Sequence, residues 1–143
     1  MEKRTGYRMM IKLDTYGIMP TRAHPDDAGL DLFSPLDCWV YKGGLKIIDT
    51  GVHVMIPKGY VGLLTSKSGL MSQGITTRGT IDSGYTGSIK AVVYNDSQES
   101  YRIAKGQKIT QLVIVPCLIP EIEVTEDLPF TDRGDGGFGS SGA

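Results

Sequence analysis

A chain of 143 residues with a formal net charge of -1 is long enough for one compact domain with its own core and too short to divide comfortably into two. Hydrophobic and charged shares of 40% and 22% are ordinary for a globular protein, whereas the 19 glycines exceed the roughly 7% typical of proteins and demand many turns. Acidic and basic residues are mixed, which excludes the basic footprint of a duplex nucleic-acid binder, and no apolar run is long enough for a secretory or membrane-spanning segment. The expectation is a cytoplasmic protein that binds neither nucleic acid nor membrane.

In chain order, the first informative segment is AGLDL at 28–32. Its alternation puts Leu30 and Leu32 on one strand face and Asp31 on the other, either as a metal-binding carboxylate or as an ordinary solvent-facing strand residue. Cys38 and Cys117 belong to no CxxC pair, which favours reduced thiols. GVHVMIP at 51–57 and the run at 60–65 are short, β-branched and bounded by turn residues, hence strands. Residues 65–70 (TSKSGL) carry hydroxyls and a lysine ahead of a short helix predicted at 68–73, with Gly74 placed to stop it. Ser66 or Ser68 is there either a plain helix cap or part of an anion site.

The segment 79–87 (GTIDSGYTG) has turn chemistry at Ser83 and Gly84 between β-prone flanks, predicting a tight hairpin or a folded-back loop. Asp82 there is either a turn-capping residue or a carboxylate base, and Tyr85 either packing or a ring for a sugar. Further strands follow at 89–95 (IKAVVYN) and 109–116 (ITQLVIVP), the latter overlapping GQKITQL at 106–112, which puts Gln111 mid-strand. After Phe130 the composition changes: residues 131–143 are glycine-rich and hold one large apolar residue, Phe138. A disordered Gly/Ser tail has that composition. So does a nucleotide-closing segment, in which glycine admits phosphate to the backbone, Arg133 and the Ser140–Ser141 hydroxyls bind it, and Phe138 stacks on a base.

The pattern predicts an all-β, jelly-roll-like sandwich or barrel with one short helix, a domain over 1–130 and a flexible arm over 131–143. His24 and His53 sit in no HExxH or Cys/His cluster and there is no GxSxG elbow, which argues against a zinc hydrolase and against the commonest serine hydrolases.

Taken in order, AGLDL, SKSGL, GTIDSGYTG, GQKITQL and RGDGGFGSSG resemble the five motifs of the trimeric dUTPase family. The third and fifth are the specific ones. The resemblance implies a jelly-roll homotrimer with shared active sites that splits dUTP into dUMP and pyrophosphate with Mg²⁺. It implies Asp82 as the residue activating water, Tyr85 under the deoxyribose, and backbone of Gly79, Thr80 and Ile81 against uracil. Lys67, Ser68, Gly69, Lys90 and Gln111 are implied as further substrate contacts. Arg133, Gly137, Phe138, Gly139, Ser140 and Ser141 would close the lid, and Asp31 would reach Mg²⁺ through water. Lys67 and Lys108 stand where arginine is usual and Thr76 where asparagine is common. A dCTP deaminase, of similar fold, is the rival enzyme, and the complete lid and the IDSGY turn argue against it; a regulatory protein partner is a further role carried by some viral members.

Overall fold

Short alternating apolar runs cut by turn residues form strands, because none is long enough to cover a core with one face of a helix. The computed structural model describes residues 7–140 and residue 142. In chain order the elements are β1 (Met10–Leu13), β2 (Leu30–Phe33), β3 (Cys38–Val40), β4 (Leu45–Asp49), β5 (Val52–Met55), β6 (Tyr60–Thr65), α1 (Ser68–Met71), β7 (Ile75–Thr77), β8 (Gly79–Ile81), β9 (Lys90–Asn95), β10 (Tyr101–Ile103) and β11 (Lys108–Pro116). They pair antiparallel in four small sheets, ordered β1-β5, β10-β3, β2-β11-β6-β8 and β4-β9-β7. This is the all-β, jelly-roll-like architecture that the sequence predicts.

The core has two parts. Leu32, Val52, Ile89 and Leu112 are completely or almost completely buried in one, and Val40, Val93, Ile103 and Ile109 in the other. Each cluster draws on more than one sheet, so burial of these side chains, worth about 1.5–3 kcal/mol apiece, ties the sheets together. Gly62 has a packing reason: a Cβ there would lie 2.6 Å from Ile56 Cδ1 and 2.9 Å from Leu112 Cδ1.

The predicted helix over 68–73 is cut to one turn. Gln73 N–H donates to Leu70 O at 2.9 Å and Gly74 N–H to Met71 O at 3.0 Å; these i to i−3 bonds tighten the chain, and Gly74 takes a φ of 80° that glycine adopts without strain. Neither Ser66 nor Ser68 caps it, for the N-cap residue is Lys67, with no side-chain cap. Beyond β11, residues 117–130 form neither strand nor helix, and Leu118, Ile122, Val124, Leu128 and Phe130 are all exposed.

Candidate active site

Asp31 is 2% exposed, although strand alternation would set it opposite the buried Leu30 and Leu32. Both faces of β2 are covered here, so of the two readings of Asp31 the solvent-facing one does not hold. A buried carboxylate needs partners, and it has two: Lys67 Nζ at 2.6 Å from Oδ1 and Lys108 Nζ at 3.3 Å from Oδ2. Burial alone would raise the Asp31 carboxyl, but hydrogen bonds and charge from Lys67 and Lys108 overcome it and hold it below its ordinary value of 3.8. The cluster carries one surplus positive charge, which suits an anion.

Gln111 lies opposite Asp31 in the β2–β11 register. Its Nε2 donates to Ser66 O at 3.3 Å, and its side chain crosses Gly29, where a Cβ would stand 2.0 Å from Oε1. The glycine of AGLDL is thus the space in which Gln111 lies. Ser66 Oγ in turn accepts from Thr77 N–H at 2.9 Å and donates to Thr77 O at 3.0 Å, pinning the chain between β6 and α1. Ser68 and Gly69 are exposed on the single helical turn that follows.

The second group is built on β8. Among the described residues that strand pairs only with β6, so one row of its backbone N–H and C=O groups has no strand partner there and is open to a ligand edge. Past Ile81 the chain turns, with Tyr85 N–H donating to Asp82 O at 3.0 Å; the hairpin reading resolves into a folded-back loop. Asp82 is exposed, and among the described residues its carboxylate makes no hydrogen bond or ion pair. The Tyr85 ring lies over Gly87, where a Cβ would meet its Oη at 2.6 Å, and its hydroxyl donates to Ser88 O at 2.8 Å. Lys90 opens β9 opposite Asp49.

These two groups sit toward opposite ends of β6. Gly79 pairs with Leu64, beside the end that leads to Lys67, whereas Ile81 pairs with Gly62 and the chain runs on to Asp82. At about 3.3 Å per residue the strand separates Asp82 from the Lys67 end by roughly 10 Å.

The third group is the tail. Arg133 Nε donates to Gly136 O at 2.9 Å, and Asp132, Arg133, Gly137, Phe138, Gly139 and Ser140 line one hollow among themselves. Phe138 is fully exposed with φ at 49°, a region a bulky residue seldom adopts. Among the described residues no hydrogen bond or ion pair joins the tail to either other group, and Ser141 lies outside the described residues.

No three His, Cys, Asp or Glu side chains converge on a metal position among the described residues. Direct ligation of a divalent ion by Asp31 does not fit, since each oxygen already holds an ammonium. Contact through water does fit, because a carboxylate has about four lone-pair positions and the lysines use two. Three functional roles escape the sequence motifs: Lys108 as an Asp31 partner, Gly29 as the bed of Gln111, and His53, which reaches the Asp82 loop. Only Gly29 carried a local signal, a glycine inside a strand-like run.

Comparison with known proteins bears on what such an arrangement does. A family model described as dUTPase matches residues 15–142. The deoxyuridine 5'-triphosphate nucleotidohydrolase of Mycolicibacterium gilvum is 41% identical over 143 residues, covering 93% of this chain and 93% of that relative. A mutant of the Staphylococcus bacteriophage 80alpha dUTPase, solved with dUpNHpp, superposes with a TM-score of 0.88 at 36% identity, covering 95% of this chain and 99% of the other; phage dUTPases are also described, for that protein, as controlling transfer of virulence genes. A mutant dUTPase of phage phi11 of S. aureus, whose structure details the coordination of a structural Mg(II) ion, matches with a TM-score of 0.79 at 32% identity, covering 87% of this chain and 100% of the other.

Proposed function

The chain belongs to the dUTPase family, and from that premise we propose that it hydrolyses dUTP to dUMP and pyrophosphate at sites shared among three copies. The observation that carries this reading is Asp82: an exposed carboxylate, with no hydrogen bond or ion pair among the described residues, on a loop closed by the Tyr85 N–H bond to Asp82 O. Its free lone pairs take a proton from water and aim that water in line at the α-phosphorus, with pyrophosphate leaving.

Each other residue then has a role its surroundings support. The unpaired edge of Gly79, Thr80 and Ile81 reads uracil through backbone groups. Tyr85, tied by its hydroxyl and seated on Gly87, presents a fixed ring to the deoxyribose and leaves no room for a 2'-hydroxyl. Lys67, Lys108 and Gln111, with Ser68 and Gly69 beside them, hold the phosphates, and Lys90 stands near the loop's return. Positioning and charge neutralisation are the main sources of rate in such a transfer. Mg²⁺ bound to the phosphates, with Asp31 touching its waters, would spread their charge and fix their geometry.

Residues 131–143 are proposed as the lid, Arg133 and Ser140–Ser141 on the terminal phosphate, Gly137 and Gly139 at the backbone approach, and Phe138 over the base. Ordering such a tail costs about 1–2 kcal/mol per residue, so it should close only over a full triphosphate and open after cleavage. A trimer is what the resemblance to the trimeric dUTPases implies, and it would let the loop of one copy meet the phosphate cluster of a second. A cytoplasmic setting agrees with two free cysteines, and no described helix is long and apolar enough to cross a membrane.

Pyrophosphate release with Mg²⁺ tests the reading. It should be far faster from dUTP than from dCTP, dTTP or UTP, and Asp82→Asn should nearly abolish it. Ammonia from dCTP would mean a deaminase, and tight dUTP binding without turnover a regulatory protein.

A further inference from the structure

The loop that carries Asp82 is stitched to the fold at both ends but hardly at its tip. Ile81 pairs with Gly62; at the other end Ile89 N–H donates to Val52 O at 2.8 Å and Thr50 N–H to Ile89 O at 3.0 Å. Between them, among the described residues, one side chain from outside the loop hydrogen-bonds to residues 82–87. It is His53, whose Nδ1 lies 2.7 Å from Thr86 O. His53 stands on β5 between the buried Val52 and Val54, so its base is rigid and its ring points to the other strand face. Its Nε2 lies 3.0 Å from Asp14 Oδ2.

Both contacts of the ring are to acceptors. A neutral imidazole donates from one nitrogen only and would turn a lone pair toward the other oxygen. Only the imidazolium satisfies both. We infer that His53, in its doubly protonated form and oriented by Asp14, is a positioning residue that straps Thr86 and thereby sets the Tyr85 ring for sugar discrimination. This rests on the dUTP-splitting reading for its substrate.

The charges around the ring agree. Asp14 faces it from the end of β1, and Lys12, its register partner on β1, opposes it. Tyr16 Oη lies 3.3 Å from Asp14 Oδ2 and 3.1 Å from Asp49 Oδ2, and Asp49, with Lys90 nearby, accepts from Ser88 Oγ; the chain of contacts returns to the same loop. The Thr86 carbonyl first, then Asp14, raise the imidazole above its ordinary 6.5, against burial and Lys12. A raised value means the strap is complete at low pH and is lost as pH rises through the folded value. When the proton goes, one N–H is left for two acceptors; charge assistance favours the carboxylate, and the Thr86 bond is then the one that breaks.

The experiment uses the full chain and the ratio of kcat/KM for dUTP to that for UTP between about pH 6 and about pH 9. Ionisation of Asp82 and of the phosphates is common to both substrates and cancels. The ratio should fall roughly tenfold or more with rising pH, in step with loss of hydrogen-exchange protection at the Tyr85 amide and with the ¹⁵N titration of His53, one of only two histidines. His53→Gln, which donates without titrating, should flatten the profile, and His53→Phe should give the low ratio at every pH. A flat ratio in the native chain, or the same fall in His53→Gln, overturns the strap. If the native chain releases no pyrophosphate from dUTP, the proposed substrate fails, while Tyr85 protection still reads the strap: following His53, it upholds the loop brace, and indifferent to His53, it removes it.

Discussion

Single residues set tolerances that the fold does not forgive. Gly29 is conformationally unremarkable, yet a Cβ there would lie 2.0 Å from Gln111 Oε1 and 2.8 Å from Cδ. Gly29→Ala must therefore evict the Gln111 side chain and break its bond to Ser66 O. Loss of one such bond costs about 1 kcal/mol of stability, so the melting temperature should move by only a few degrees while kcat/KM for dUTP falls roughly tenfold or more. A large stability loss with kcat/KM intact would contradict that role. Gly87→Ala acts on Tyr85 in the same way, the new methyl meeting Oη, Cζ and Cε2 at 2.6–3.0 Å; the tilted ring should admit UTP more readily, read as a lower dUTP to UTP ratio. Asp31 makes a pH statement. Because its carboxyl is held below 3.8 in the fold, its pairing stabilises above that value and is lost as pH falls through the lower folded value. Lys67→Met should raise the Asp31 titration, followed by carboxyl NMR, and move acid unfolding to higher pH.

At the level of elements, β6 is what separates the jobs. It carries the Asp31–Lys67–Lys108 cluster, proposed for the phosphates, at its Thr65 end and, through β8, the Asp82 loop toward the other. The predicted strands at 51–57, 60–65, 89–95 and 109–116 correspond to β5, β6, β9 and β11 because alternation and flanking turn residues are local properties. Which edge of β8 stays unpaired is not local, since it depends on β6 arriving from elsewhere in the chain. The tail, which packs on nothing in its own chain among the described residues, predicts that deleting 133–143 leaves the melting temperature unchanged and removes turnover. Unchanged turnover in the truncated chain would end the lid reading.

For the whole molecule, the telling feature is the segment after β11. Leu118, Ile122, Val124, Leu128 and Phe130 are each more than four-fifths exposed, more apolar surface in one stretch than an isolated chain commonly leaves to water. The proposed trimer would cover it. Sedimentation should give three times the 15.5 kDa chain mass, and Ile122→Asp with Leu128→Asp should lower that mass and the activity together. A fully active single chain would remove the shared-site proposal.

Much of this protein was legible before any coordinates. Turn-punctuated β-branched runs dictated an all-β domain, and the glycine-rich end with one arginine and one phenylalanine marked a segment apart, because secondary-structure bias and chain flexibility are written in neighbouring residues. Asp31 shows the limit: alternation set it on the face opposite Leu30 and Leu32 and left open what it meets there, and only the packing of β11 and the approach of Lys67 and Lys108 over β2 made it a buried ion pair. The same holds for His53, whose meaning comes from Thr86 and Asp14, 33 and 39 residues away. A residue's protonation and reach depend on what long-range pairing brings beside it, and that the tertiary structure alone decided.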